Sequence, residues 1–138
     1  IQYFAKKVVK IVPISIPTRI NLALCEELSK AIVRSIHSFD RKVIIVATTD
    51  LSQDLSQEMA NRKDQKVIND VAHMETEELT KGIKRFGLSY CGMNAVLTMM
   101  LAAKELGASS GELVKYVTSG DTTGDYSQVN GYAGMLIK

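Results

Sequence analysis

Lys42-Val43-Ile44-Ile45-Val46-Ala47-Thr48, running straight into Thr49-Asp50-Leu51-Ser52-Gln53, is the stretch on which the fold turns. Its apolar residues follow one another without alternation. A strand covered on both faces reads this way, whereas a half-buried strand alternates polar and apolar positions. The run over 42–48 therefore predicts a central strand. Upstream, residues 21–36 repeat apolar side chains at three- and four-residue steps (Leu24, Cys25, Leu28, Ala31, Ile32, Ile36) and leave Glu26, Glu27, Lys30 and Arg34 for water, the pattern of an amphipathic helix. Before that helix, Lys10-Ile11-Val12-Pro13-Ile14-Ser15-Ile16 is short and β-branched. Pro13 has no N–H to give to a ladder, so this strand is expected at an edge or with a bulge.

Downstream, Val67, Ile68, Val71 and Ala72 carry enough periodicity for a second helix over 63–73. Thr76 is placed to cap a third, with Glu77 and Glu78 in its first turn and Gly87 just beyond its end. Residues 92–106 are apolar nearly all round and stop at Gly107, so a deeply buried helix is expected there. Residues 113–118 and 129–137 read as strands, antiparallel to one another, joined by the small polar loop Ser119-Gly120-Asp121-Thr122-Thr123-Gly124-Asp125-Tyr126. Strands interleaved with helices predict an α/β fold, a layered αβα arrangement around a central mixed sheet.

Composition narrows the function. The 138 residues are 46% hydrophobic and 23% charged, which excludes disordered, collagen-like and disulfide-scaffold classes. Seventeen basic against fifteen acidic residues give a net charge of +2, too weak a field for a nucleic-acid or anionic-membrane partner. Two cysteines and no secretory leader point to a cytoplasmic protein, and the longest apolar run, over 95–103, is far short of a bilayer span. The opening Ile1-Gln2-Tyr3-Phe4 reads as the middle of something longer.

Two residues carry candidate chemistry. Asp50 follows the expected central strand, and in open α/β sheets ligands bind at the carboxyl ends of strands; the plainer reading is a residue that turns the chain as it leaves the sheet. Cys91 precedes Gly92 at the start of the expected buried helix, where unpaired backbone N–H groups favour the thiolate that ligates metals; the plainer reading is a small buried hydrophobe. Cys25, in mid-helix on an apolar face, reads as core. His37 and His73 follow helices and form no metal-ligand pair, so both read as surface or capping residues. Asp121 and Asp125 lack the spacing of a calcium loop and read as turn residues.

The order of the segments is more specific than any one of them. Gln2-Tyr3 precedes Lys10-Ile11-Val12-Pro13-Ile14; Thr48-Thr49-Asp50-Leu51-Ser52-Gln53 is followed by Tyr90-Cys91-Gly92-Met93-Asn94-Ala95-Val96. Tyr116-Val117-Thr118-Ser119-Gly120-Asp121, Gly124-Asp125 and Val129-Asn130-Gly131-Tyr132-Ala133 close the chain. This resembles the C-terminal half of the Memo-like family (AmmeMemoRadiSam system protein B), related in fold to the class III extradiol dioxygenases, over residues 1–138. The resemblance implies one portion of a single Memo-like domain and a mononuclear iron or copper redox site of two histidines and one cysteine, in a non-haem oxidoreductase whose reaction the likeness does not fix. Cys91 matches the cysteine ligand. The histidine motifs belong to the N-terminal half and do not occur here, so the partner implied is that half, on the same or a separate polypeptide. The apolar edge left uncovered calls for that half or for a homo-oligomer. The family commonly has a histidine where Gln53 stands, and glutamine neither titrates near neutrality nor ligates such metals well. The candidate catalytic pair is thus Asp50 and Gln53, with Cys91 the metal ligand. The alternative is a metal-free module that holds a peptide or protein between Asp50, Gln53 and the loop 119–126.

Overall fold

The computed structural model describes residues 1–18, 21–86 and 91–138. The Gly87 expected to stop the third helix, and Tyr90 of the Cys-Gly motif, lie outside them.

The chain is mixed α/β, as its pattern predicts. Four helices, α1 (Leu22–His37), α2 (Gln57–Ala72), α3 (Thr76–Phe86) and α4 (Met93–Glu105), lead into the antiparallel pair β1 (Gly111–Thr118) and β2 (Gly131–Ile137), with a one-turn helix α5 (Gly120–Thr123) between the strands. The Asn21 side chain accepts the Leu24 N–H at 2.9 Å and so caps α1. Cys25, Ser29 and Val33, one turn apart, are the residues α1 buries, and its neighbour is α4. Cys25 is 1% exposed, the core residue its position predicted. The Asn94 amide donates to the carbonyls of Pro17 and Thr18 at 3.1 and 2.8 Å, fixing the entry to α1 against the first turn of α4.

The nearly all-apolar α4 is buried as expected, through Met93, Val96, Leu97 and Met100 among others. Val67 and Val71 of α2, Leu79 of α3 and Leu51 of the preceding loop join it in the core. Tyr116, Met135 and Ile137 turn one face of the hairpin onto that core. Thr76 is the first helical residue of α3 rather than its cap, and its carbonyl accepts the Thr80 hydroxyl at 2.8 Å. Among the described residues no helix is long and apolar enough to cross a membrane.

Two strand positions differ from expectation. Residues 42–48 form no ladder with any described neighbour, and Ile44 and Val46 are 86% and 59% exposed. The predicted central strand, covered on both faces, is therefore not formed by the described residues. Residues 10–16 likewise join no ladder among them, with Val12 82% exposed. A strand exists only against another strand that satisfies its N–H and C=O groups. The only ladder among the described residues is that of β1 with β2. Helix α2 begins six residues before its predicted start, because Ala60 is the one position buried among 57–62, too sparse a signal for periodicity to register.

Leu79 is fully buried where α3 meets the core. Replacing it by alanine leaves a cavity, and Leu79→Ala is expected to lower the unfolding free energy by about 3 kcal/mol in urea titrations followed by circular dichroism.

Candidate functional site

Gly92 brings the site together. Its φ of +94° lies in the left-handed region, and a Cβ there would run into the Thr48 carbonyl oxygen and sit 2.9 Å from Thr49 Cα. Only glycine lets the chain at 48–49 close on the start of α4. In that contact the Asp50 N–H donates to the Cys91 carbonyl at 3.1 Å and the Thr49 hydroxyl to the same oxygen at 2.6 Å. Gln53 Nε2 donates to Asp50 Oδ2 at 2.9 Å. Asp50, Gln53 and Cys91, 41 positions apart at the extremes, are therefore joined by one chain of hydrogen bonds. Cys91 is exposed, so the fold does not use it as a buried hydrophobe.

The hairpin connection holds the same loop from its far end. Leu55 and Val129 exchange backbone hydrogen bonds at 3.3 and 2.7 Å, the Gln57 N–H donates to the Tyr126 carbonyl at 3.2 Å, and the Gly131 N–H to the Ser52 carbonyl at 2.9 Å. Asp54, with φ of +52°, gives its N–H to Asn130 Oδ1 at 3.0 Å. The loop 119–126 thus stands on the segment 52–57. Its carboxylates serve the local chain: Asp121 accepts the Thr118 N–H at 2.7 Å, and Asp125 accepts the Ser127 hydroxyl at 2.6 Å and its N–H at 2.9 Å. Those two donations hold the Asp125 carboxyl below the usual carboxylate range, so what they contribute to stability is present above the unfolded group's pKa and lost as pH falls through the folded one.

Sequence reasoning missed Asp64. It is 0% exposed, and it accepts the Ser52 N–H at 2.9 Å and the Ser52 hydroxyl at 2.7 Å on Oδ1, with the Tyr116 hydroxyl at 2.8 Å on Oδ2. A Cβ on Gly131 would collide with Oδ2, so the carboxylate fills space that only glycine leaves open. The available signal was an aspartate four residues after Ala60 and three before Val67, on the face that α2 turns inward. His73 is exposed and bonds through Nδ1 to the Asn69 carbonyl at 2.8 Å, a capping role; His37 is exposed at the end of α1. Among the described residues no three His, Cys, Asp or Glu side chains converge as a metal-binding group. The donor set these residues offer at the site is one thiol and one carboxylate, which by itself does not fit iron or copper held by two imidazoles.

Gly92→Ala is expected to cost about 2 kcal/mol through left-handed backbone strain and the displaced 48–49 backbone. Thermal unfolding of the variant checks the loss, and amide shifts at Asp50 and Cys91 locate it.

A profile of the Memo-like protein family matches residues 1–136. The MEMO1 family protein of Methanopyrus kandleri is 34% identical over all 138 residues, which cover 48% of that protein. That of Methanococcus maripaludis is 40% identical over 129 residues, 94% of this chain and 45% of its own length, and that of Methanobrevibacter smithii is 33% identical over the whole chain and 48% of itself. The chain thus spans about half the length of the curated relatives it matches. A match that extends over nearly every residue, including the Asp50 loop and the Cys91-Gly92 corner, makes this chain a member of the Memo-like protein family.

Proposed function

We propose that this chain forms the C-terminal portion of a Memo-like redox protein, in which Cys91 supplies one ligand to a mononuclear iron or copper ion and Asp50 and Gln53 line the cleft beside it. The observation that carries the reading is an exposed thiol whose backbone is locked, through its own carbonyl, to the loop bearing the other two residues. A preset backbone lowers the cost of holding a ligand in place. The bound metal would supply the redox chemistry; the imidazoles come from a completing segment, on the same or a second polypeptide, that also covers the exposed apolar residues around 10–16 and 42–48. The cytoplasm suits a chain with free thiols.

This chain's own residues then do limited work. Asp50 orients Cys91 through its N–H, and Gln53 donates to one oxygen of its carboxylate. An amide exchanges no proton near neutrality, so acid-base work from position 53 is absent and oriented hydrogen bonding remains. The same Gln53–Asp50 pair supports a second reading, a metal-free cleft that holds a peptide or protein by hydrogen bonds.

The complete translated product that carries this chain, loaded with Fe(II) or Cu(II), is expected to bind metal stoichiometrically and to lose it with Cys91→Ser, as read by elemental analysis after desalting. Metal content unchanged by the substitution overturns the ligand role. No uptake in the parent, with a peptide retained in pull-down and released by Gln53→Ala, decides for the second reading.

A further inference from the structure

We propose that Asp64, a residue outside the cleft, is the positioning residue of the site: its buried carboxylate fixes the Asp50–Gln53 loop against Cys91. Helix α2 delivers that carboxylate to the junction of three elements. It takes two donors from Ser52, at 2.9 and 2.7 Å, and one from Tyr116 of β1 at 2.8 Å, and it lies against Gly131 at the start of β2. Ser52 stands between Asp50 and Gln53 in the loop, and its carbonyl is held by the Gly131 N–H at 2.9 Å. Both polar groups of its backbone and its hydroxyl are therefore fixed, all three at the buried end of the loop. Two residues back, the Asp50 N–H reaches the Cys91 carbonyl. The line from Asp64 to the thiol-bearing residue is continuous: carboxylate, Ser52 backbone, Asp50 N–H, Cys91 carbonyl.

Among the described residues, the contacts that tie residues 52–57 to the hairpin connection are neutral backbone or amide contacts. Asp64 offers a carboxylate acceptor, and hydrogen bonds to such a group are shorter and stronger than neutral ones. Gly131 and Tyr116 lie against its Oδ2. In Asp64→Ala no acceptor is left for the Ser52 N–H and hydroxyl or for the Tyr116 hydroxyl. The loop then shifts where the carboxylate held it, and the shift is transmitted to Cys91.

The inference rests on the grouping of Asp50, Gln53 and Cys91 proposed as the site and does not depend on what that site binds. Its test reads the thiol directly. The full chain is alkylated with iodoacetamide, and each cysteine is followed by peptide mass spectrometry, with buried Cys25 as internal control for loosening of the core. Asp64→Ala is expected to change the Cys91 rate by about fivefold or more, in either direction, while Cys25 stays protected. A Cys91 rate unchanged within about twofold overturns the proposal, as does a parallel rise at both cysteines, which marks a merely structural residue. If Asp64→Ala fails to fold, Ser52→Ala removes a single hydroxyl from the same oxygen, and the same two outcomes decide. No metal enters the measurement, so the role of Asp64 is tested even in a protein that never takes up iron or copper.

Discussion

A carboxylate sealed from water must be met by donors or it destabilises the fold that buries it. Asp64 meets that demand with Ser52 and Tyr116, residues from a loop and a strand far from it in sequence. The constraint works in both directions. The helix cannot pack without the loop in place, and the loop cannot move without stranding a buried acceptor, at about 1–3 kcal/mol for each donor or acceptor left without a partner. Gly131 is part of the same constraint, since any side chain there would occupy the position of the carboxylate. The hairpin, α2 and the loop from 50 to 57 are thereby one unit, and the candidate site stands on it.

That unit also explains how the candidate site residues are gathered from distant parts of the chain. Asp50 and Gln53 belong to a loop clamped from below by Asp64 and Gly131, and Cys91 belongs to a helix start that reaches the loop because Gly92 has no side chain. What the unit lacks is the rest of a sheet. The residues around 10–16 and 42–48 are apolar, exposed and without ladder partners among the described residues, and the matching relatives are about twice the length of this chain. On the proposed reading, the segment that pairs with these residues also brings the imidazoles.

Much of this was legible in the residues themselves. The apolar repeats of α1 and α4 and the antiparallel closing hairpin follow from patterns that local chemistry sets. The run at 42–48 misled because its composition records the environment it is suited to, a place between two layers, whereas a ladder needs partners that composition does not reveal. Asp64 was hidden for the converse reason. An aspartate on a polar-looking helix reads as a solvated face, and only the folded arrangement of Ser52, Tyr116 and Gly131 turns it inward. The glycine at 92 could be read as a helix start, but its close approach to Thr48 depends on a contact 44 residues away in sequence.

The central claim is that the loop carrying Asp50 and Gln53 is rigidly held by a buried carboxylate, and hydrogen exchange at the Ser52 amide tests it most directly. Measured by NMR on the full chain, that amide is predicted to exchange as slowly as the amide of the fully buried Leu79, which donates to the Glu75 carbonyl at 3.0 Å. Exchange as fast as that of the amides at 43–46, which have no backbone partner among the described residues, would contradict the account.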